Sequence, residues 1–377
     1  MPLSTAVIAY ESEEAARRRL IAFGYAPDVA HEIAVYLAQS TDLPEFVDEI
    51  TDALGGCGIE ARFTPLDELA LRLRDLAPRR DETIIWALTD GVRFYRGSSI
   101  PALARLEGFP RFGSPSTAAH LAQDKFAGLA LASAAGLAVP PTRLMEGESE
   151  IAALGRWPSA QGPLFVKPNT LGAKIGIFAD SLCRTFAEAK ERARRIEDRY
   201  RDRALIQPFL EGDDVRVSFM ELGGDLAAQL GIERIAKNPA SETGGAYLTM
   251  TDNETLSGAK DMTGTRGGFG LEHTAAFVPR MTDLREEKDQ RSQRTVAGII
   301  DFSMRLARLV GLRDCFSIDF RVDAKGRPTF FEFEVCPAVT IYDFQNYLRR
   351  RRDLGLGQAL AKAFHLAFAR RRAMDEA

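Results

Sequence analysis

Cys315-Phe-Ser317-Ile-Asp319-Phe-Arg321-Val-Asp-Ala-Lys325-Gly326-Arg-Pro-Thr-Phe-Phe331-Glu332-Phe333-Glu334 alternates apolar and polar residues on both sides of Lys325-Gly326. Strand side chains point to opposite faces in turn, so this pattern predicts a hairpin, Phe316–Glu334, with two unlike faces. Phe316, Ile318, Phe320 and Val322 share one face and Ser317, Asp319 and Arg321 the other; on the return strand Phe331, Phe333 and Val335 oppose Glu332 and Glu334. With the turn centred on Lys325-Gly326, Asp319 falls opposite Glu332 and Ser317 opposite Glu334. Like charges directly opposite destabilise a sheet, so three gathered carboxylates call for a cation. Oxygen-only donors favour Mg²⁺ or Mn²⁺ over zinc. The competing reading is a solvated hairpin face partly neutralised by Arg321.

A second constellation lies upstream, in Leu164-Phe-Val-Lys167-Pro168-Asn-Thr-Leu-Gly172-Ala-Lys174-Ile-Gly176. It places a lysine at a strand end, then a flexible turn, then a second strand expected at Ile175–Phe178. Small residues let backbone N–H groups approach phosphate oxygens, and the lysine adds a fixed positive charge. Neither G-x-x-x-x-G-K-[ST] nor G-x-G-x-x-G occurs, so other nucleotide-binding motifs are absent. By itself the turn also fits an ordinary loop.

Working outward, strands at Thr5–Ala9, Ile59–Phe63 and Thr83–Leu88 alternate with helices at Leu43–Leu54 and Leu66–Leu76, the order of a parallel sheet covered by helices. The chain has 377 residues, which allows two or three domains. Boundaries are expected near the turn-rich Pro110–Pro115 and after the strand Ala204–Pro208, giving segments 1–113, 114–206 and 207–377. A helix capped by Thr185 and Glu188 precedes that second boundary. Beyond it come paired strands at Val215–Glu221 and Leu226–Glu233, a helix Arg294–Leu309 stopped by Gly311, the hairpin, and a last helix around Gln358–Arg370. Residues 238–276 are rich in Gly, Ser, Thr and Asn without a period, and are expected to form a lid.

Composition narrows the function. A net charge of -4 with interleaved signs excludes an electrostatic case for nucleic acid, and no apolar run suits a membrane. The four cysteines and four histidines lack zinc or disulfide spacing, and the N-terminus reads as a strand with no leader, so a cytoplasmic protein is expected. Arg349–Arg352 and Arg370–Arg372 are expected at solvated helix ends, Cys336 as a small buried apolar residue, and Trp86 and Trp157 in packing roles.

Taken in order, Lys125, Lys167-Pro168 with its glycine turn, Gln207-Pro-Phe-Leu210-Glu-Gly-Asp-Asp214, Asp319 and Glu332-x-Glu334-x-x-Pro337 resemble the ATP-grasp superfamily. The closest look is to D-alanine–D-alanine ligases, over roughly residues 80–345, including the step of thirteen residues from Asp319 to Glu332. The resemblance implies an α/β fold in which an N-terminal parallel-sheet domain precedes two α+β subdomains enclosing ATP. It implies that Lys125 and Lys167 hold the phosphates, Gln207 and Leu210 meet adenine, Asp214 meets ribose, and Asp319, Glu332 and Glu334 carry two Mg²⁺ ions. Gly212-Asp-Asp214-Val-Arg216 and Gly231-Ile-Glu-Arg234-Ile-Ala-Lys237 resemble ligases that add glutamate to ribosomal or carrier proteins. By that likeness Arg234 and Lys237, and less surely Arg216, meet the γ-phosphate or an acyl phosphate. The alternative for each arginine is a strand-face ion pair with Glu233 or Asp214.

The departures concern substrate. The last metal position is Glu334 where Asn is usual, and Pro337-Ala338 replaces Pro-Gly. Ser317 replaces an arginine two residues before the metal Asp; Glu11-Ser-Glu13-Glu14 replaces Gly-Gly-x-Ser-x-Glu; Thr89 replaces a histidine. D-alanine is therefore not the expected substrate. Lys174, where serine is usual, favours an anionic group, and Asp343 favours a cationic or hydroxyl-rich one, unless it caps a turn. The expected chemistry joins a small-molecule carboxylate to an amine, an amino acid or peptide among them, with ATP as the activating group. A kinase on the same fold and a non-catalytic ATP-binding regulator stay open, as does a homodimer.

Overall fold

The computed structural model describes residues 2–38, 44–89, 96–157, 162–172, 174–223, 231–235, 243, 246, 247, 249, 281–337, 344 and 348–375. Three sheets organise it. The first is parallel, in the order β2 (Glu60–Pro65), β1 (Thr5–Tyr10), β3 (Thr83–Ala87), β4 (Arg111–Phe112). Its central strands β1 and β3 are buried along nearly their whole length, as a sheet covered on both faces requires. The second is antiparallel, in the order β6 (Ser149–Leu154), β5 (Thr142–Glu146), β9 (Ala204–Pro208), β7 (Leu164–Pro168), β8 (Leu182–Cys183). The third is antiparallel, in the order β12 (Met281–Asp283), β11 (Ile232–Ile235), β10 (Asp213–Met220), β13 (Cys315–Val322), β14 (Pro328–Glu334).

The hydrophobic cores do not follow the chain's linear order. The helix Glu13–Ala22 and Val29–Ala34 of the next helix pack with Val166, Ile196 and Ile206 of the second sheet's layer, away from the strand they follow. The helices Ser116–Gln123 and Lys125–Ala134 contribute Ala118, Leu129 and Ala132 to the third sheet's core. The last helix, Leu356–Asp375, returns to the first sheet and inserts Leu360 and Phe364 beside Trp86 and Phe112. It also approaches the helix Pro44–Gly55 so closely that a Cβ at Gly357 would lie 1.9 Å from that of Ala53. Arg370 is not a solvated helix end: it donates to Glu221 and to the buried Asp314, tying that helix to the third sheet. Segments 1–113, 114–206 and 207–377 thus share cores across their boundaries.

Most expected elements stand within a few residues of their places, including the helix Gln290–Val310, which ends at Gly311 in the left-handed region with φ 76°. The cap of the helix Phe186–Tyr200 is half as expected: Glu188 N–H donates to Thr185 Oγ1 at 3.2 Å, but the Glu188 carboxylate accepts from Arg184 N–H instead. The strand expected at Ile175–Phe178 is absent. Lys174 and Gly176 both adopt positive φ, 63° and 76°, which no strand tolerates, and two successive turns carry the chain to β8 instead. The strands β5, β6 and β12 and the helices between residues 13 and 38 lacked a sequence reading. Among the described residues, no helix is long and apolar enough to cross a membrane.

Candidate active site

The second and third sheets face each other across a cleft of about 1160 Å³, counting space open to solvent. The hairpin β13–β14 supplies its acidic floor. Register pairs Asp319 with Glu332 and Ser317 with Glu334, as the alternation predicts, so three carboxylates face the cleft. Beyond Asp319 the register shifts by one residue, and the bulge turns Phe331 into the cleft beside Glu332. The expected placement of Phe331 with Phe333 on the greasy face is therefore corrected: Phe330 and Phe333 enter the core, while the Phe331 ring lies 5.1 Å from Lys167 Nζ.

The opposite wall carries the lysines. Lys125 opens the helix Lys125–Ala134, where a cation is disfavoured by the helix dipole. Asp124 offsets this by capping Ala127 N–H at 3.0 Å, and Glu332 lies 3.6 Å from the Lys125 ammonium. Lys125 Nζ also donates to the Leu171 carbonyl at 2.7 Å, bracing the glycine turn. Asn169 locks that helix to the end of β7: its side chain accepts from Phe126 N–H at 2.9 Å and donates to Asp124 at 3.0 Å. Thr170 is fixed in turn by Asp202, through bonds of 2.8 and 3.0 Å. Burial is the main influence on Lys167 and holds its ammonium below the ordinary lysine value, while Glu332 acts in the other direction. Burial also pushes the Glu332 carboxyl up, but Lys125, Lys167 and Arg216 outweigh it and keep it below the ordinary range. Glu334 moves the other way: burial and its acidic neighbours raise it against the pull of Arg216 and Ser317.

On the ATP-grasp resemblance, Asn169→Ala should raise the dissociation constant for ATP by about tenfold, because the removed bonds fix Lys125 relative to Lys167, and each charge-assisted contact they position contributes roughly 1.5–3 kcal/mol. Calorimetric titration measures it. An unchanged constant would mean that the helix is held by packing alone.

Lys125, Lys167, Lys174, Gln207, Leu210, Asp214, Asp319, Glu332 and Glu334 all line this one cleft. The Gln207 amide is already engaged, donating to Thr142 Oγ1 at 2.8 Å, so its side chain stiffens the sheet. Asp214 pairs with Arg321 at 3.2 Å, and the Arg321 guanidinium lies between the rings of Phe209 and Phe331. Phe165, Phe209 and Tyr247 form an edge-to-face aromatic wall, with the single Tyr247 hydroxyl proton shared between the carbonyls of Phe178 and Ala179.

Arg234 requires correction. It is paired in register with Val215, whose side chain enters the core, so it stands on the face of β11 turned away from the carboxylates. There it donates to Glu287 at 2.6 Å and lies 3.1 Å from Asp213, bordering a separate groove behind the sheet. Arg216, one residue from Val215, reaches the cleft, where it pairs with Asp319 and Glu334. Lys237, Asp343 and nearly all of residues 238–276 lie outside the described residues. Asn169, Phe331 and Tyr247 were not singled out from sequence; the first of these adjoins Lys167-Pro168, a signal that could have found it.

Could this floor hold a divalent cation? The donors are hard oxygens, and Arg216 already lies on Asp319 and Glu334 as a positive charge in the same place. Among the described residues, no three acidic, His or Cys side chains converge closely enough to hold a metal ion as they stand. The chemistry of the donors, hard carboxylate oxygens, suits Mg²⁺.

No protein-family model matches the chain. It is 23% identical to the D-alanine–D-alanine ligase of Gloeobacter violaceus over 277 residues, 73% of this chain and 78% of that protein. Against the D-alanine–D-alanine ligase of Marinobacter nauticus identity rises to 33% over 173 residues, 45% of this chain and 49% of that one. The fold superposes on the D-alanine–D-alanine ligase of Bacillus anthracis with a TM-score of 0.62 at 14% identity, covering 99% of both chains.

Proposed function

We infer that this chain, an ATP-grasp enzyme similar in sequence and fold to the D-alanine–D-alanine ligases, joins a carboxylate to an amine at the expense of ATP, releasing ADP and phosphate. The observation that carries this reading is the cleft itself, in which two buried lysines face three carboxylates across the gap between two antiparallel sheets. A carboxylate is a poor electrophile because its leaving group is oxide or hydroxide. Phosphorylation by the γ-phosphoryl group gives an acyl phosphate, which an amine attacks with loss of phosphate. Lys125 and Lys167 bind and orient the phosphate oxygens, and their charges stabilise what develops during transfer. Phe165, Phe209 and Tyr247 offer an apolar face for the base, with Leu210 and the Gln207 backbone at its edge and Asp214 towards the ribose. Asp319, Glu332 and Glu334 would hold Mg²⁺, which would supply charge neutralisation for the phosphoryl oxygens. The three chain segments meeting at residues 113 and 206 serve this division of labour, the first providing the substrate side.

The substrates are not a pair of D-alanines, on the grounds of Ser317, Thr89 and the Glu11-Ser-Glu13-Glu14 stretch. The charges of Lys174 and Asp343 favour an anionic group on one substrate and a cationic or hydroxyl-rich group on the other, small molecules of the cytoplasm. Purified protein should release ADP and inorganic phosphate in equal amounts when given the right pair from a panel of carboxylates and amines. ³¹P NMR of the mixture checks it. ADP accompanied by a stable phosphorylated product would instead identify a kinase, and ATP binding without turnover across the panel would favour a regulator.

A further inference from the structure

Arg216 forms a bidentate ion pair in the cleft. Its Nε donates to Asp319 Oδ1 at 2.8 Å and its Nη2 to Asp319 Oδ2 at 2.9 Å, a bidentate fork that takes both carboxylate oxygens. The same Nη2 lies 3.4 Å from Glu334 Oε1, while Ser317 Oγ donates to Glu334 Oε2 at 3.1 Å. The strand pairing leaves little freedom in this arrangement: β10 and β13 run antiparallel with Arg216 directly opposite Asp319. These are the oxygens assigned above to a divalent cation. A guanidinium carrying parallel hydrogen bonds and a divalent cation compete for these oxygens, since each is a positive charge seeking the same lone pairs.

We propose that Arg216 is a positioning residue that exchanges with the divalent cation: it holds Asp319 and Glu334 in place of the metal, and metal binding drives it off them. The idea rests on the ligase reading of the cleft for its metal site, and adds a competitor within the chain. Two consequences follow from charge. The three carboxylates would repel one another without a cation, so the arginine keeps the hairpin face together before loading. Once displaced, the guanidinium stays tethered to β10 within the cleft that Lys174 also lines. It is then free to grip the anionic oxygens that arrive with the metal, so that nucleotide-bound metal and an available arginine appear together. Metal affinity and the affinity for the carboxylate substrate are thereby coupled through one side chain.

The test uses the full chain without nucleotide and Mn²⁺ as the probe, with free Mn²⁺ read by electron paramagnetic resonance. Arg216→Gln should bind Mn²⁺ about tenfold tighter than wild type, the effect of removing one charge-assisted competitor. Arg216→Lys, which cannot fork a carboxylate, should fall between them. The Nε–H resonance of Arg216 in ¹⁵N-arginine-labelled wild type should shift on addition of Mg²⁺, a readout that needs no variant to fold. Equal or weaker Mn²⁺ binding in Arg216→Gln, or an Nε–H signal indifferent to Mg²⁺, overturns the exchange. Wild type that binds Mn²⁺ normally in those experiments leaves the ligase reading standing; wild type that binds none, with or without ATP, removes the metal site and the exchange together.

Discussion

Glu332→Gln should lower ATP-dependent turnover by at least about a thousandfold, since it removes a charge that both metal binding and the lysine pair require. Gln keeps the shape and one oxygen, so any loss reports charge. Steady-state ADP release measures it, and full activity would return the hairpin to an ordinary solvated face. The accompanying change in stability has a sign that carboxylate counting alone gets wrong. Removing one of three like charges suggests an unchanged or slightly higher melting temperature. However, Glu332 is also the counter-charge to Lys125 and Lys167, which are only 9% and 7% exposed. Without it two ammonium groups remain in a poorly solvated wall. The partly exposed carboxylate reduces the penalty, which we put at about 2 kcal/mol. Melting of the ligand-free variant should therefore fall by a few degrees.

The second large effect is expected at Gly212, in the short connection between β9 and β10 that joins one wall of the cleft to the other. Its φ is 143°, and a Cβ there would lie 2.2 Å from the Val322 carbonyl oxygen and 2.8 Å from the carbonyl carbon. Neither atom belongs to a flexible side chain, so the backbone itself has to move. Arg321 donates to the Gly212 carbonyl at 3.2 Å and pairs with Asp214, so the disturbance reaches the cleft's cation cluster. Gly212→Ala should cost about 3 kcal/mol or more, lowering the melting temperature by roughly 4 °C or more and weakening ATP binding. Calorimetric melting and nucleotide titration check the two parts. A variant with wild-type melting would show that this connection is not the rigid joint described.

What sequence could and could not reveal about this site has a physical boundary. Alternation and a Lys-Gly turn are local features, and they suffice to place Asp319 opposite Glu332 and Ser317 opposite Glu334. They fail one residue later because Phe330 and Phe331 are alike in sequence, and only the sheet's geometry selects which of them enters the bulge. The Arg216–Asp319 pair spans strands about a hundred residues apart, so no local pattern announces it. The face that Arg234 occupies is hidden from local pattern for the same reason, since it depends on the strand beside it. The helices between residues 13 and 38 are rich in alanine and charge and present weak apolar stripes, and they pack against a sheet made much later in the chain. Parallel order in the first sheet was legible because alternating strands and helices have few other solutions.

The return of the last helix to the first sheet constrains the order in which the protein matures on the ribosome. Leu3, Ile8, Ile50, Trp86 and Phe112 emerge early, yet the core they form is completed by Leu356, Leu360, Phe364 and Phe368. A nascent chain lacking those four side chains exposes an apolar sheet face for as long as the intervening residues take to synthesise. The second and third sheets can close around residues already translated, so the earliest strands are the last to gain their full packing. Chaperone dependence during synthesis should accordingly concentrate on the N-terminal segment, whose packing is completed only when the last helix arrives.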